Sequence, residues 1–294
     1  GDAYFQLPDG HNESDRRVAL SKWILDEANP LTWRSIVNRL WQHHFGRGIV
    51  DSPNDFGRMG QRPTHPELLD WLAVQFRDEG QSIKSIHRLI LTSATYRQRS
   101  TTRKEAMNID GGNRFLWRMN RRRLDAESIR DSVLSLAGSM NLEMYGPSFQ
   151  DFVVEKPEHS PHYQYHLHDP LDDRSHRRSV YRFLVRSQQQ PFMTTLDCAD
   201  PSMMVDKRSE TLTPLQALSL LNNQFMTAMA NRMGEGIGAG EARMTSDLAR
   251  LFYRVTGREI LDDELSLLVA YSKEHGNSNA CRVIVNLNEF VFVD

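Results

Sequence analysis

The sequence predicts a mainly α-helical fold, a multi-helix domain with a small antiparallel β element around residues 149–185. Three observations support this prediction. Apolar residues recur at intervals of three and four over most of the chain, which is typical of amphipathic helices. Capping residues precede several of these stretches, and glycine or proline ends them. A segment without helical periodicity separates two helical parts.

The first three helices are predicted from the residues that cap their starts and the residues that end them. Ser14 is placed to cap the first helix, and a following Asn-Pro pair ends it. Thr32 is expected to cap the second helix, which carries a broad apolar stripe. Gly46 follows at the position where a left-handed residue commonly ends a helix. The capping-box pattern Thr64–Glu67 predicts the start of the third helix.

Later elements follow from the same signals. Ser82 is expected to cap a fourth helix, and residues 125–137 are expected to form a fifth. Apolar and polar residues alternate at 179–185, which together with 149–154 predicts two short strands. Helices resume at Thr213, a capping residue followed by proline. The closing helices are predicted around 245–256, 262–275 and 278–287.

We expect a single domain over residues 14–294, preceded by an N-terminal extension at 1–13. Its parts are a helical half at 14–140, an irregular His-rich excursion with the two strands at 141–186, and a helical half at 195–294. The chain begins at Gly1 rather than Met, and we expect it to be a piece of a longer protein.

Composition argues against several classes of protein. The 36 Lys and Arg residues nearly balance the 38 Asp and Glu residues, so no overall charge recruits nucleic acid or an anionic membrane. No apolar run approaches the roughly 20 residues that span a bilayer, and we expect no membrane insertion. The two cysteines form no CxxC or CxxCH pattern, although one disulfide between them remains open. We therefore expect no cofactor in this chain.

The second helix carries the densest group of chemically active side chains. Asn38, Arg39, Gln42 and His43 face away from its apolar stripe, whereas His44 lies on it and is expected to be a buried histidine. Arg39 and His43 are four residues apart and are placed to bind an anion together. The alternative, which we favour, is that these polar residues tie the helix to neighbouring loops.

Two further candidate sites contain carboxylates. Asp55 and His65 would form an acid–base pair if the fold brought them together, with Asn54 beside them. Turn formation and protection of a helix start explain the same residues more simply. Asp197 and Asp200 would hold a cation or support acid–base chemistry. The favoured interpretation is again that these residues form an ordinary turn.

Two clusters in the chain are candidates for ligand binding. His159, His162 and His166 are the candidate metal ligands in the irregular segment, with His168 nearby, but their spacing matches no metal signature and a solvated loop is favoured. Four arginines beside Trp117 have the composition of a site that binds phosphate or nucleic acid, with the tryptophan ring available for stacking. Pairing with the acidic residues that follow is the favoured interpretation. These arginines are Arg118, Arg121, Arg122 and Arg123, and the acids are Asp125, Glu127 and Asp131.

Six sequence blocks occur in a fixed order along the chain: NPLTWRSIVNRLWQHHFGRGIVDSPNDFG, PTHPELLDWLA, IKSIHRLILTSATYRQ, NRFLWRMNRRRLDAESIRDSVLSLAG, TLTPLQALSLLNNQF and VNLNEFVFVD. Together they resemble the planctomycete-type PSD domain family. Members of this family have no known function and lie toward the C-terminus of large exported bacterial proteins. The resemblance covers nearly all of residues 14–294.

This resemblance implies an extracytoplasmic location, periplasmic or secreted. It implies cytochrome c-like and other domains of the same longer polypeptide as partners, with any haem on an absent domain or a partner. The resemblance identifies no catalytic residue in this chain and gives no oligomeric state.

The leading functional hypothesis is an accessory or recognition module of an exported multidomain protein associated with cytochrome c-type redox chemistry or polymer degradation. One alternative is a hydrolytic or metal-assisted enzyme on segment 38–65, and another is a structural scaffold. The enzyme hypothesis assigns catalysis to Arg39, His43, Asp55 and His65, and binding to Asn38, Gln42, Asn54 and Asp197.

Overall fold

The computed structural model describes residue 7 and residues 10–155 and 161–293. The chain divides into two compact units, the first ending at Arg122 and the second spanning Arg123–Val293. The described residues are mainly helical, with only small two-stranded sheets. The predicted fold class is therefore confirmed.

The first unit contains five described helices, and its apolar core is built mainly by α2, α3 and α4. Helix α2 packs against α3 and α4, and the core contains Trp33, Val37 and Phe45 from α2 together with Leu72 and Phe76 from α3. These residues recur at helical spacing, so burial of one face of each helix stabilises the unit. The helices are α1 (Glu13–Leu25), α2 (Pro30–Phe45), α3 (Pro66–Asp78), α4 (Ile83–Thr92) and α5 (Lys104–Ile109).

The helix starts differ from the predicted ones in three places. Asn12, not Ser14, caps α1 and forms a capping box with Asp15. Helix α2 begins two residues before Thr32, because Pro30 fits the first helical position and the Asn29 side chain caps it. The capping box predicted at Thr64–Glu67 is absent, because His65 is the N-cap of α3 and makes no side-chain cap bond. Ser82 caps α4 as predicted, and Gly46 ends α2 in the left-handed conformation.

The second unit is a larger group of helices. Its core is formed mainly by α6, α9, α10 and α12, and α9 packs closely on α12 at Gly234. A Cβ atom at Gly234 would lie 2.7 Å from the backbone nitrogen of Ser278, so only glycine permits this approach. The helices are α6 (Ala126–Leu136), α7 (Pro191–Thr195), α8 (Pro214–Asn222), α9 (Gln224–Glu235), α10 (Glu241–Thr256), α11 (Asp262–His275), α12 (Asn277–Ile284) and α13 (Asn288–Val291).

The irregular segment contains the predicted β element, but with different pairing. Four strands are described: β1 (Arg122–Arg123), β2 (Val153–Glu155), β3 (His162–Gln164) and β4 (Phe292–Val293). Strand β2 pairs antiparallel with β3, and Val154 lies opposite Tyr163. The strand predicted at 179–185 is wrong, since Ser179–Tyr181 form a 3₁₀ turn. The cause is a contact with a residue distant in sequence: Asp131 on α6 accepts hydrogen bonds from the Ser179 backbone nitrogen and hydroxyl at 2.9 and 2.7 Å.

The closing part of the chain matches the predicted order of helices. Thr213 caps α8 in a capping box with Gln216, as its Thr-Pro start predicts. Helix α11 has the predicted bounds, whereas α10 begins four residues earlier than expected because Gly240 is its N-cap. Among the described helices, none combines the length and apolar content that a bilayer crossing requires.

Candidate functional site

A cavity of about 200 Å³ lies within the second unit. Its wall is built by α6, by the irregular segment and by the first residues of α7 and α9. Aromatic and proline side chains form the apolar part of the wall, and acidic, basic and amide side chains form the polar part. Such a mixture of an apolar wall with few polar groups is typical of small-molecule sites.

Asp151 is the most unusual residue of this cavity wall. It is only 7% exposed, and its Oδ1 atom is buried without a hydrogen-bond partner among the described residues. Its Oδ2 atom lies 3.9 Å from Nη1 of Arg182, which is too far for a hydrogen bond. Buried polar atoms in folded proteins almost always have a partner, so this carboxyl group calls for an explanation.

Burial raises the pKa of Asp151, and the positive charges of Arg182 and Arg130 offset this only in part. Removing the carboxylate from water disfavours its charged form. The neutral acid is thus favoured at a higher pH than for an exposed aspartate. A neutral carboxyl group donates one hydrogen bond and still accepts others.

Arg130 is the basic residue of the cavity wall. From α6 it donates hydrogen bonds to the backbone oxygens of Ser175 and Arg177. Its guanidinium lies over the rings of Phe149 and Phe225, at 5.0 and 5.6 Å from their centroids. Arg130 therefore attaches the irregular segment to α6 and holds the aromatic wall in place.

His168 and Tyr165 bring further titratable groups to the cavity. Burial lowers the pKa of His168, and the negative charge of Asp151 opposes this effect. The His168 ring makes no hydrogen bond within the described part of the chain. Burial, followed by the charge of Asp151, raises the pKa of Tyr165 to about 12, and its hydroxyl donates to the Gln188 backbone oxygen at 2.9 Å. The lowered pKa of His168 favours the neutral imidazole, which can both donate and accept a hydrogen bond.

Two helices begin at the cavity, and their capping residues contribute amide groups. Oε1 of Gln190 accepts from the Met193 nitrogen at 2.8 Å, and Oδ1 of Asn223 accepts from the Phe225 nitrogen at 2.9 Å. Capping uses the amide oxygens, whereas both amide nitrogens make no hydrogen bond among the described residues. Each of these amides can donate to a bound molecule.

The residues predicted as a site on α2 are largely engaged within the first unit. Asn38 is completely buried, where its amide donates to the Val50 oxygen at 2.9 Å and accepts from the Val50 nitrogen at 2.8 Å. Arg39 donates a hydrogen bond to the Asn54 side chain. Both contacts attach α2 to the loop that follows it.

The two other α2 candidates lie closer to solvent. Gln42 is half-buried, and His43 is exposed. Arg122 donates a hydrogen bond to the backbone oxygen of His43. His44 is half-buried rather than buried, and its Nε2 lies 2.7 Å from Nδ1 of His87.

No hydrogen bond joins Asp55 to His65 within the described residues. Oδ1 of Asp55 accepts from the Gly57 nitrogen at 2.8 Å, which is turn geometry. Nδ1 of His65 lies 2.9 Å from the Thr64 hydroxyl, and its ring packs edge-on against Phe115. The contact of Asp55 is that of an ordinary turn, and the pairing of Asp55 with His65 stays a prediction.

Asp197 and the histidine cluster belong to the second unit. Asp197 adopts a positive φ of 61° and accepts a hydrogen bond from Arg123. His159 lies outside the described residues, and His162 and His166 are exposed. In the described ranges, no group of three or more His, Cys, Asp or Glu side chains is arranged to hold a metal ion. His166 does line the cavity.

A family model described as PSD1, a protein of unknown function (DUF1553), matches residues 16–272. The chain belongs to the PSD1 family. This match confirms the resemblance seen in the sequence blocks. No curated protein and no solved structure matches the chain.

The cavity of this PSD1 protein was not predicted from the sequence, although two signals point to it. Asp151 is an acid inside the otherwise largely apolar stretch FQDFVV at 149–154. Arg130 lies four residues after Ala126 and three before Val133, on the apolar face of α6. A charged residue at a core position is the pattern that marks this site.

Proposed function

We propose that this PSD1 chain is a recognition module, and that it binds a small molecule or the end of a polymer in the Asp151 cavity. The observation that carries the proposal is the buried Oδ1 atom of Asp151, which has no partner among the described residues. An unpaired buried polar group costs roughly 1–3 kcal/mol. Natural proteins tend to carry such costs at functional sites, and a bound ligand would supply the missing partner here.

The size of the cavity limits what it can bind. Its volume of about 200 Å³ is below the roughly 300–1,000 Å³ of sites for drug-sized ligands. One ring or one terminal unit of a longer chain fits this space. Gln224 and His166, both exposed, lie at the wall where a longer ligand would leave the cavity.

The cellular setting in this proposal is extracytoplasmic, with the chain as part of a longer exported polypeptide. Cytochrome c-like domains of that polypeptide would be its partners, and any haem would be bound there. The support is the resemblance to exported PSD proteins together with the absence of a CxxCH pattern in this sequence. Recognition of a polymer by this module would then bring the redox domains to it.

A fragment screen by ligand-observed NMR tests whether the cavity binds small molecules. Gln224→Trp places a large side chain at the cavity wall on an exposed helix start, and we expect it to abolish binding of the hits. Leu218→Trp is the matched control, since Leu218 is exposed on α8 and does not line the cavity. A screen in which no fragment binds at the cavity would contradict the proposal and favour the scaffold alternative.

Acid–base catalysis in the same cavity is the second candidate function. The observation in its favour is that one environment raises the pKa of Asp151 and lowers that of His168. These two shifts favour the neutral form of both groups, an acid and a base that could act together. Incubation of the protein with each screening hit, followed by NMR for new resonances, separates turnover from binding alone. The enzyme hypothesis for Arg39, His43, Asp55 and His65 stays a prediction.

A further inference from the structure

We infer that the Asp151 cavity takes a neutral, hydroxyl-rich ring, that is, one sugar residue. This inference rests on the proposed function and names the chemical class of its ligand. Three properties of the wall support it: the balance of its charges, its hydrogen-bonding groups and its apolar surface.

The charges in the wall disfavour an ionic ligand. Asp151 and Arg130 both line the cavity, so an anion would meet the carboxyl group and a cation would meet the guanidinium. Arg130 already donates to two backbone oxygens and to Ser179, which leaves little of its hydrogen-bonding capacity for an anionic ligand. A charge that leaves water without a strong partner is costly, and a neutral ligand avoids this cost.

The hydrogen-bonding groups match hydroxyls. The free amide nitrogens of Gln190 and Asn223 donate, His168 donates from one nitrogen and accepts with the other, and Asp151 has an unused oxygen. A hydroxyl group both donates and accepts, so a ring with several hydroxyls can satisfy donors and acceptors around one small space. A purely apolar ligand would leave these groups unpaired.

The apolar part of the wall matches the C–H face of a sugar ring. Phe192 and Phe225 line the cavity with Pro170 and Pro191. These side chains come from rigid positions, since the two phenylalanines lie in the first turns of α7 and α9. Apolar contact on one side and hydrogen bonds on the other is the arrangement that a polyhydroxylated ring requires.

Isothermal titration with methyl glycosides tests the inference. The neutral probes are methyl glucoside, galactoside, mannoside and N-acetylglucosaminide, and the charged probes are methyl glucuronide and glucosamine. We expect at least one neutral glycoside to bind, and its charged analogues to bind about 10-fold more weakly or worse, which corresponds to about 1.4 kcal/mol.

Two variants link this binding to the cavity. Asp151→Leu is of similar size and removes both carboxyl oxygens, and we expect about 10-fold weaker binding, as for loss of a buried hydrogen-bonding group. Gln190→Glu keeps the capping oxygen and removes the amide donor, and we expect a similar loss. Asp263→Asn is the control, because Asp263 is exposed in the first turn of α11. Circular dichroism of each variant confirms folding.

The outcomes separate this inference from the proposed function. If fragments bind at the cavity but no neutral glycoside does, or if a charged probe binds more tightly, the sugar assignment is overturned and the recognition module stands. If neither fragments nor glycosides bind, both fail. Glycoside binding that Asp151→Leu and Gln190→Glu leave unchanged would also overturn the assignment.

Discussion

Nη2 of Arg123 lies 2.8 Å from Oδ2 of Asp197, and both side chains are largely buried. The same carboxylate accepts hydrogen bonds from the backbone nitrogen and hydroxyl of Thr211 at 2.7 and 2.9 Å, and from Gln216 at 3.1 Å. These contacts join the chain before α6 to the turn after α7 and to the start of α8. The role that they give Asp197 is to connect three segments of the second unit.

Asp197→Asn should lower the free energy of unfolding by about 2 kcal/mol, because it leaves the buried Arg123 without its carboxylate. Asparagine tolerates the positive φ of this position, so the substitution removes the charge without backbone strain. Urea denaturation measures the effect, and Asp263→Asn provides an exposed control. Equal stability of the Asp197 variant and wild type would show that the ion pair contributes nothing.

The same carboxylate should give acid sensitivity. Burial raises the pKa of Asp197, but the hydrogen bonds of Thr211 and the charge of Arg123 outweigh this, and the net shift is downward. A lowered pKa in the folded state stabilises the protein above the unfolded pKa of about 3.9, and the stabilisation is lost as pH falls through the folded pKa. As pH falls, the melting temperature of wild type should therefore drop more steeply than that of Asp197→Asn.

Asp151→Asn should have the opposite dependence on pH. The raised pKa means that the folded protein holds a proton which the unfolded chain releases, so stability falls as pH rises above about 3.9. The variant lacks this loss, and we expect its melting temperature to exceed that of wild type near neutral pH but not in acid. A variant that is less stable than wild type at neutral pH would show that the carboxylate is paired after all.

Asn38→Ala should destabilise the first unit by about 2 kcal/mol, because it leaves both backbone groups of Val50 without partners. Gly48→Ala should act similarly, since its Cβ would lie 2.7 Å from Nδ2 of Asn38. Asn108→Ala is the control, because Asn108 is exposed on α5. Thermal unfolding followed by circular dichroism measures all three variants.

The pair of His44 and His87 should make the first unit sensitive to mild acid. Burial is the main cause that lowers the pKa of His44, followed by the nearby His87, Arg122 and His43. The unfolded chain therefore binds a proton at a higher pH than the folded chain, and stability falls as pH drops below about 6.5. His44→Gln should flatten this decline, whereas His11→Gln, at an exposed position, should not.

Both thiols should react slowly in the folded protein. Burial, then the charge of Glu127, raises the pKa of Cys198 to about 11, and burial raises that of Cys281 to about 12. Both cysteines are free, so the disulfide left open by the sequence does not form. Ellman's reagent should count both thiols only after denaturation. Rapid reaction of either thiol in the native state would contradict this expectation.

Local signals in the sequence predicted most of the helices. Thr213 and Ser82 cap their helices because the short side-chain oxygen reaches the first free backbone nitrogens, an interaction confined to three residues. The segment at 179–185 was mistaken for a strand because its structure depends on Asp131, about 48 residues away. Pairings over such distances leave no periodic trace in the sequence.

The candidate site was harder to predict for the same reason. The acidic partners expected for the arginine run lay in adjacent sequence, yet Arg123 pairs with Asp197, and Glu127 pairs with Arg208. The cavity likewise combines residues from 130 to 225, and only their packing brings Asp151 and Arg130 to one wall.

The attachment of the irregular segment through Arg130 has a consequence for how this cavity can diversify. Arg130 binds the backbone oxygens at Ser175 and Arg177, and every amino acid supplies an identical oxygen there. Substitutions along the segment can therefore change the side chains that face a ligand while the anchor persists. Selection can alter the specificity of the cavity without rebuilding the helices that support it.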